Sequence, residues 1–285
     1  MYSRSSGHGQ MELHHAQILR GLQKKFDIID ERVTKTAEEG RELAIAACGN
    51  YDALIVAGGD GTFTNIVNAL AEQENTPILG YINNGTIGDI GHNFGIRPSY
   101  RSALKVILKG TPTPFDIMKA DGYGYFAYVA GVGQYADIPY ITPRKQKKLL
   151  GRLAYYNIAL KELTQFKKVH AKIVADGIEY EQDVPFVLLL NGKHVGGFLV
   201  NDRGNIFDGK MDLYLSKPGI WNGLGQFLFR RHHIKKIVAK DIYIHTDHDM
   251  PWCLDGEAGP LGDLHVICIH NALRIYSLRG PKKSK

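Results

Sequence analysis

Apolar and polar positions follow two different rhythms along the chain. Up to about residue 115, short runs of consecutive apolar residues alternate with stretches of helical periodicity. Residues 53–57, Ala-Leu-Ile-Val-Ala, carry no polar position and stop at Gly58-Gly59, and residues 77–82 repeat that signature. A strand without a polar side is covered on both faces, as in a parallel sheet. Helices are predicted over 11–25, with Met11, Leu19 and Leu22 on one side, and from Thr36-Ala37-Glu38-Glu39, a capping-box pattern, to about 48. Two more follow over about 63–72 and over 102–109, and residues 26–33 read as a strand. This alternation predicts an α/β domain.

Beyond about residue 114 the rhythm changes. Residues 123–132 are aromatic and Gly-rich, and 145–168 read as one helix. Short strand-like runs follow at 169–174, 184–190, 211–215, 236–244, 265–269 and 273–276. Turns such as Ala175-Asp176-Gly177 and Phe207-Asp208-Gly209 separate them. Many short strands with regular turn signals predict a mainly antiparallel β-sandwich. The expected division is an α/β domain over 1–115 and a β-rich domain over 116–271, with 272–285 packing back on the first.

Composition narrows the picture. A chain of 285 residues with 44% hydrophobic and 22% charged residues has room for two ordinary globular domains. The net charge of +6 suits an anionic partner, a nucleotide or an acidic membrane surface, although solubility alone would explain it. Three scattered cysteines, Cys48, Cys253 and Cys268, argue against disulfides and structural zinc and suit a reducing cytoplasm. No apolar stretch nears the roughly 20 residues of a membrane span, and the polar, Gly/Ser-rich start lacks a signal peptide. A cytoplasmic protein that touches membranes peripherally is expected.

The candidate chemistry lies in three loops. Gly58-Gly59-Asp60-Gly61-Thr62 joins a strand to a helix, where glycines let the backbone approach phosphate oxygens and helix N–H groups face them. Asp60 beside phosphates needs a divalent cation or a substrate hydroxyl between, which points to phosphoryl transfer. The plainer alternative is a tight turn with Asp60 as a helix cap. Asn83-Asn84-Gly85-Thr86-Ile87-Gly88-Asp89 follows the next strand, and both loops fall on the carboxyl edge of the sheet, where ligands bind. Leu254-Asp255-Gly256-Glu257 is a hairpin signal that also offers Glu257 as a carboxylate for an attacking hydroxyl.

These three motifs, in this order, resemble the diacylglycerol kinase catalytic domain family, which includes bacterial soluble diacylglycerol kinases and relatives of sphingosine and ceramide kinases. The resemblance covers nearly the whole chain. The first motif is shared with NAD-kinase and phosphofructokinase-like folds; Asp255-Gly256-Glu257 favours lipid kinases. The resemblance implies an ATP-dependent, magnesium-requiring kinase of a diacylglycerol-like lipid, acting in phospholipid metabolism, with its active site in a cleft between the two domains. It implies Asp60 and Glu257 as catalytic residues, Glu257 being the base for the lipid hydroxyl. Ser6, Gly7, Gly58, Gly59, Gly61, Thr62, Gly85 and Thr86 would line the nucleotide. Asp60, Asp89, Asp116 and Asp208 would serve the metal ion. Asp212 is read as a turn residue.

Three departures stand out. Ser6-Gly7-His8-Gly9 matches the family's first loop, but Met1-Tyr2-Ser3-Arg4 is no match for the apolar strand that precedes it, so that strand is expected to be missing. Gly88 stands where the family has Asn, and Asn65 where it has Glu. A nucleotide kinase of the NAD-kinase type, or a non-catalytic nucleotide- or lipid-binding regulator, are the competing readings. The basic runs Arg144-Lys145-Gln146-Lys147-Lys148 and Arg230-Arg231-His232-His233-Ile234-Lys235-Lys236 are candidate contacts to an anionic membrane. No nucleic-acid-binding signature accompanies them. His245-Thr246-Asp247-His248-Asp249 is read as a solvated loop. The oligomeric state is left open, with a homodimer considered.

Overall fold

The computed structural model of the protein describes residues 1–3, 10–85, 88–133, 169–216, 234–246 and 250–281. The chain divides into two compact units, Met1–Asp116 with Asn271–Lys285, and Ile117–His270. The predicted helix over 145–168 lies outside the described residues.

The first unit is built from β1 (Tyr2–Ser3), α1 (Gln10–Leu22), β2 (Val33–Thr34), α2 (Ala37–Ala46), β3 (Ala53–Gly58), α3 (Asp60–Leu70), β4 (Ile78–Asn83), α4 (Asp89–Asn93) and α5 (Tyr100–Lys109). β5 (Thr111–Ala120) leads out of it, and β18 (Leu264–Ser277) returns to it. Its strands run β2-β1-β3-β4-β18, every neighbouring pair parallel. Val56, Ala57, Leu79, Tyr81 and Ile82 are buried, as a strand covered on both faces requires. The N-cap forms as predicted, with Thr36 accepting the Glu39 N–H at 3.1 Å, while the Glu39 carboxylate reaches one residue beyond the box and accepts from the Lys35 N–H at 2.6 Å.

Two expectations are corrected here. Residues 26–32 form no strand; pairing is confined to Val33–Thr34. Conversely, Tyr2–Ser3 does form a strand, inserted between β2 and β3. The Met1 nitrogen donates to the Ile55 carbonyl at 2.9 Å, Ala57 N–H to the Met1 carbonyl at 3.0 Å and Tyr2 N–H to the Arg32 carbonyl at 3.1 Å. Backbone pairing, indifferent to side-chain polarity, supplies the strand that the polar sequence Met-Tyr-Ser did not announce.

The second unit adds β6 (Gly124–Phe126), β7 (Val129–Gly133), β8 (Val169–Ala175), β9 (Ile178–Val184), β10 (Phe186–Leu190), β11 (His194–Val195), β12 (Phe198–Leu199), β13 (Met211–Ser216), β14 (Ile234–Ala239), β15 (Asp241–Thr246), β16 (Pro251–Leu254) and β17 (Glu257–Leu261). One antiparallel sheet runs β14-β13-β10-β7-β16-β17, and β9-β8-β15 continues antiparallel onto β18. Both contribute to one core, with Ile173, Ile242 and Val266 from one and Leu189, Leu213 and Trp252 from the other. β15 alternates exposed and buried positions, the period of a half-covered strand. His245 is one of its exposed residues and bonds Asp263 at 2.7 Å, so it belongs to a strand and not to a loop.

On this exposed sheet face, His265 lies between Asp121, 2.5 Å from Nδ1, and Asp241, 2.9 Å from Nε2. His170 lies likewise between Asp183 at 2.8 Å and Glu181 at 2.9 Å. Only the doubly protonated ring has an N–H for each carboxylate. Burial pushes the His265 pKa down, but Asp241 and Asp121 outweigh it and hold it above 6.5; Asp183 and Glu181 raise that of His170. A raised folded pKa gives stability that is complete below 6.5 and lost as pH rises through the folded value. Thermal unfolding between about pH 6 and about pH 8 is expected to show a midpoint that falls with pH. The fall should be shallower in the His170→Gln/His265→Gln protein; equal slopes would contradict the assignment.

Candidate functional site

Two loops of the first unit cross at glycines. β3 ends at Gly58, and Gly59, in extended backbone, precedes the first turn of α3. The Asn84 N–H donates to the Gly58 carbonyl at 2.9 Å, drawing the second loop against the first. At the crossing, a Cβ on residue 85 would stand 2.8 Å from the Gly59 Cα, so this approach demands glycine.

Asp60 ties the two loops together. Its Oδ2 accepts the N–H of Gly88 at 3.0 Å and of Asp89 at 3.2 Å, and its Oδ1 accepts that of Ile90 at 3.3 Å and the Tyr81 hydroxyl at 3.4 Å. These N–H groups head α4, so Asp60, itself in the first turn of α3, caps the neighbouring helix. Burial and the Asp60 charge hold the Tyr81 pKa far above its ordinary value, so the hydroxyl stays protonated and donates. Gly88 has a left-handed φ of 73°, and a Cβ there would fall 1.7 Å from the Asn83 side-chain nitrogen. The Asn83 amide thus occupies the space beside residue 88. Asn65 donates to the Ala37 carbonyl at 2.7 Å, joining α3 to α2, a bond that an ionised Glu could not make.

The structure therefore brings together Gly58, Gly59, Asp60, Gly85 and Asp89. Gly61 and Thr62 follow in the first turn of α3, Gly61 exposed and Thr62 half-buried. Ser6, Gly7 and Thr86 lie outside the described residues, as do His248, Arg144 to Lys148 and Arg230 to His233. Asp116 is fully buried and accepts the Asn271 N–H at 2.9 Å. Asp208, in the second unit, is exposed and accepts the Lys210 N–H at 3.2 Å across a turn. Among the described residues, no three His, Cys, Asp or Glu side chains gather as a metal-holding group. The four carboxylates expected around a metal ion thus form no such cluster. Magnesium that arrives with a nucleotide takes one or two carboxylates, phosphate oxygens and water, and so does not require such a cluster.

In the second unit, β16 and β17 form a hairpin whose turn residues Asp255 and Gly256 have φ of 50° and 89°. That double positive φ is what Asp-Gly announces. The buried Asp255 carboxylate accepts the N–H of Ala127 at 2.6 Å and of Tyr128 and Val129 at 3.0 Å each. Glu257, exposed, opens β17, the edge strand of its sheet. The Tyr123 hydroxyl donates to the next carbonyl, that of Ala258.

Sequence reasoning overlooked a buried polar knot. Asn201 bonds the Asp212 carboxylate, donates to the Gly192 carbonyl at 2.9 Å and accepts from the Tyr214 hydroxyl at 2.8 Å. Lys236 pairs with Asp212 at 3.0 Å. Asp212 is therefore a network member and not a turn residue. Of the second basic run, Lys236 is engaged here, and Lys235 lies over the Tyr180 ring at 4.1 Å. The available signal was weak: Tyr214 and Lys236 are cross-strand partners, but nothing marked Asn201.

The chain is similar to known proteins in sequence and in fold. A family model described as the diacylglycerol kinase catalytic domain matches residues 1–120. Diacylglycerol kinase of Bacillus subtilis (strain 168) is 30% identical over 91% of this chain and 89% of its own length. That of Staphylococcus aureus (strain MRSA252) is 33% identical over 91% and 85%. Two crystal structures from Bacillus anthracis (strain Sterne) share the fold. One has TM-score 0.86 at 25% identity, covering 97% of this chain and 93% of that one. The other, a diacylglycerol kinase, has TM-score 0.83 at 24% identity, covering 97% and 95%.

The hairpin geometry separates scaffold from chemistry. Asp255→Ala leaves three N–H groups without their acceptor and should destabilise the protein by about 3 kcal/mol or more. Glu257→Ala, at an exposed position, should stay within about 0.5 kcal/mol of the parent. Urea unfolding measures both; a stable Asp255→Ala protein would contradict the clamp.

Proposed function

The chain belongs to the diacylglycerol kinase catalytic domain family, and on that premise we propose that it transfers the γ-phosphoryl group of ATP to the free hydroxyl of diacylglycerol. The observation that carries the reading is the pair of glycine loops locked by Asp60. Phosphoryl transfer needs little covalent participation from the protein; it needs held phosphates and a deprotonated nucleophile. Glycine at 59 and 85 lets the two loop backbones meet, which in this reading brings both loops to one phosphate group. The N-terminus of α3, with Gly61 and the Thr62 hydroxyl in its first turn, offers donors and the positive end of a helix dipole. Ser6, Gly7 and Thr86 are proposed to complete the nucleotide contacts.

In the reaction, the lipid hydroxyl oxygen bonds to the γ-phosphorus as the bond to the β–γ bridging oxygen breaks, and ADP leaves. The hydroxyl proton passes to Glu257, an exposed carboxylate on a hairpin fixed by Asp255. Magnesium held by Asp60 and Asp89 together with ATP would neutralise the charge gathering on the phosphate oxygens. Asp60 thus serves twice, as clamp between the loops and as ligand. Asp116 and Asp208 act as backbone acceptors in this reading.

The substrate is a membrane lipid, so the enzyme works at a bilayer surface. Among the described residues, no helix is long and apolar enough to cross a membrane. We place the membrane contact in the basic runs at 144–148 and 230–233, since Lys235 and Lys236 are engaged within their own unit.

Glu257→Gln tests the base. It should lower kcat by about 10² or more, the scale of general base catalysis, with little change in KM for ATP. Undiminished turnover on diacylglycerol vesicles would remove Glu257 from the mechanism.

A further inference from the structure

We infer that the side-chain amide of Asn83 is a nucleotide-binding donor, aimed at a phosphate oxygen of ATP. The inference rests on the reading of the loop pair as the phosphate site, and it adds to that site a residue not among the nucleotide-lining residues named above.

Three observations converge. Asn83 is the last residue of β4 and is only 7% exposed. Its Oδ1 accepts the Gly85 N–H at 2.9 Å and faces the Tyr81 hydroxyl at 3.4 Å, so the amide cannot be turned end for end without losing the bond to Gly85. The opposite end, Nδ2, is buried and meets no acceptor among the described residues. A buried amide donor without an acceptor is costly, and folds keep such groups where a ligand satisfies them.

The neighbourhood says which ligand. Asp60, the carboxylate of the clamp, accepts the donors of Gly88, Asp89, Ile90 and Tyr81 and not that of Asn83. Nδ2 therefore has to find its acceptor elsewhere. The other end of the same amide holds Gly85, the residue at which the two loops cross. Nδ2 itself stands where a Cβ of residue 88 would be, 1.7 Å from that position. Only glycine at 88, in its left-handed conformation, admits the amide. The chain thus omits a side chain at 88 and fills the space with a donor from 83, beside the backbone crossing of Gly59 and Gly85.

ATP and adenosine binding, measured by calorimetry on the purified full chain, test this. Asn83→Asp keeps the acceptor toward Gly85 and Tyr81 but adds a negative charge as it removes the donor, so the uncharged Gly88→Ala has to show the same selective loss for the amide to be the cause. Asn83→Asp should weaken ATP binding about tenfold or more, the scale of a bond to a charged group, and leave adenosine binding and the melting midpoint unchanged. Gly88→Ala, whose methyl displaces the amide, should produce the same selective loss and supplies a second route if Asn83→Asp folds poorly. Thr62→Val serves as the control on the site itself. Wild-type ATP affinity in Asn83→Asp and Gly88→Ala alongside a weakened Thr62→Val would overturn the role of Asn83 and leave the phosphate site standing. Unchanged affinity in all three would overturn both. An equal loss for ATP and adenosine would overturn the phosphate as the amide's target.

Discussion

Three consecutive backbone N–H groups, those of Gly88, Asp89 and Ile90, end on the carboxylate of Asp60, which sits in the first turn of another helix. Together with the Asn84 N–H on the Gly58 carbonyl, they hold the loop after β4 against the loop after β3. At the point of crossing the chain has no side chains, only Gly59 and Gly85 in backbone contact. Glycine at both positions is what lets the two backbones touch, and it also removes the side-chain packing that would fix the loops. A charged acceptor meeting several backbone donors restores rigidity without filling the space, because such bonds are short-range and individually stronger than neutral ones. Every other feature of the proposed nucleotide site, from the placement of Asp89 to the free end of Asn83, follows from this clamp.

The second unit uses the same device. Asp255 accepts three successive N–H groups, those of Ala127, Tyr128 and Val129, and so anchors the hairpin that presents Glu257. Asp176 accepts the N–H of Lys240 and Asp241 in the same manner. In each case an Asp at a turn takes up donors that belong to a different segment. The side chain proposed to do chemistry on the hairpin, Glu257, is by contrast exposed on an edge strand. Rigidity comes from the buried aspartate, and chemistry is left to the carboxylate two residues on.

The layout of the fold was legible because its signals are local. Uninterrupted apolar runs at 53–57 and 77–82 became β3 and β4, the Thr36–Glu39 pattern capped α2, and Asp255-Gly256 turned with both φ positive. What the sequence hid depended on partners far along the chain. Asp60 was weighed as a cap of its own loop, yet its donors lie some thirty positions away. The strand at Tyr2–Ser3 is made of backbone bonds to Ile55, Ala57 and Arg32, which no hydrophobic pattern records. The knot of Asn201, Asp212, Tyr214 and Lys236 joins residues with no shared motif. Asn65 and Gly88, departures from the family pattern, have local reasons: one joins α3 to α2, and the other yields its space to Asn83.

The central claim is that the clamped loops hold ATP for transfer to a lipid hydroxyl. The most direct measurement incubates the purified chain with γ-labelled ATP and magnesium, in parallel with diacylglycerol vesicles and with NAD, and follows the label. The account predicts label in phosphatidate and none in the dinucleotide. Label in the dinucleotide alone, or bound ATP with no label reaching any lipid, would contradict it.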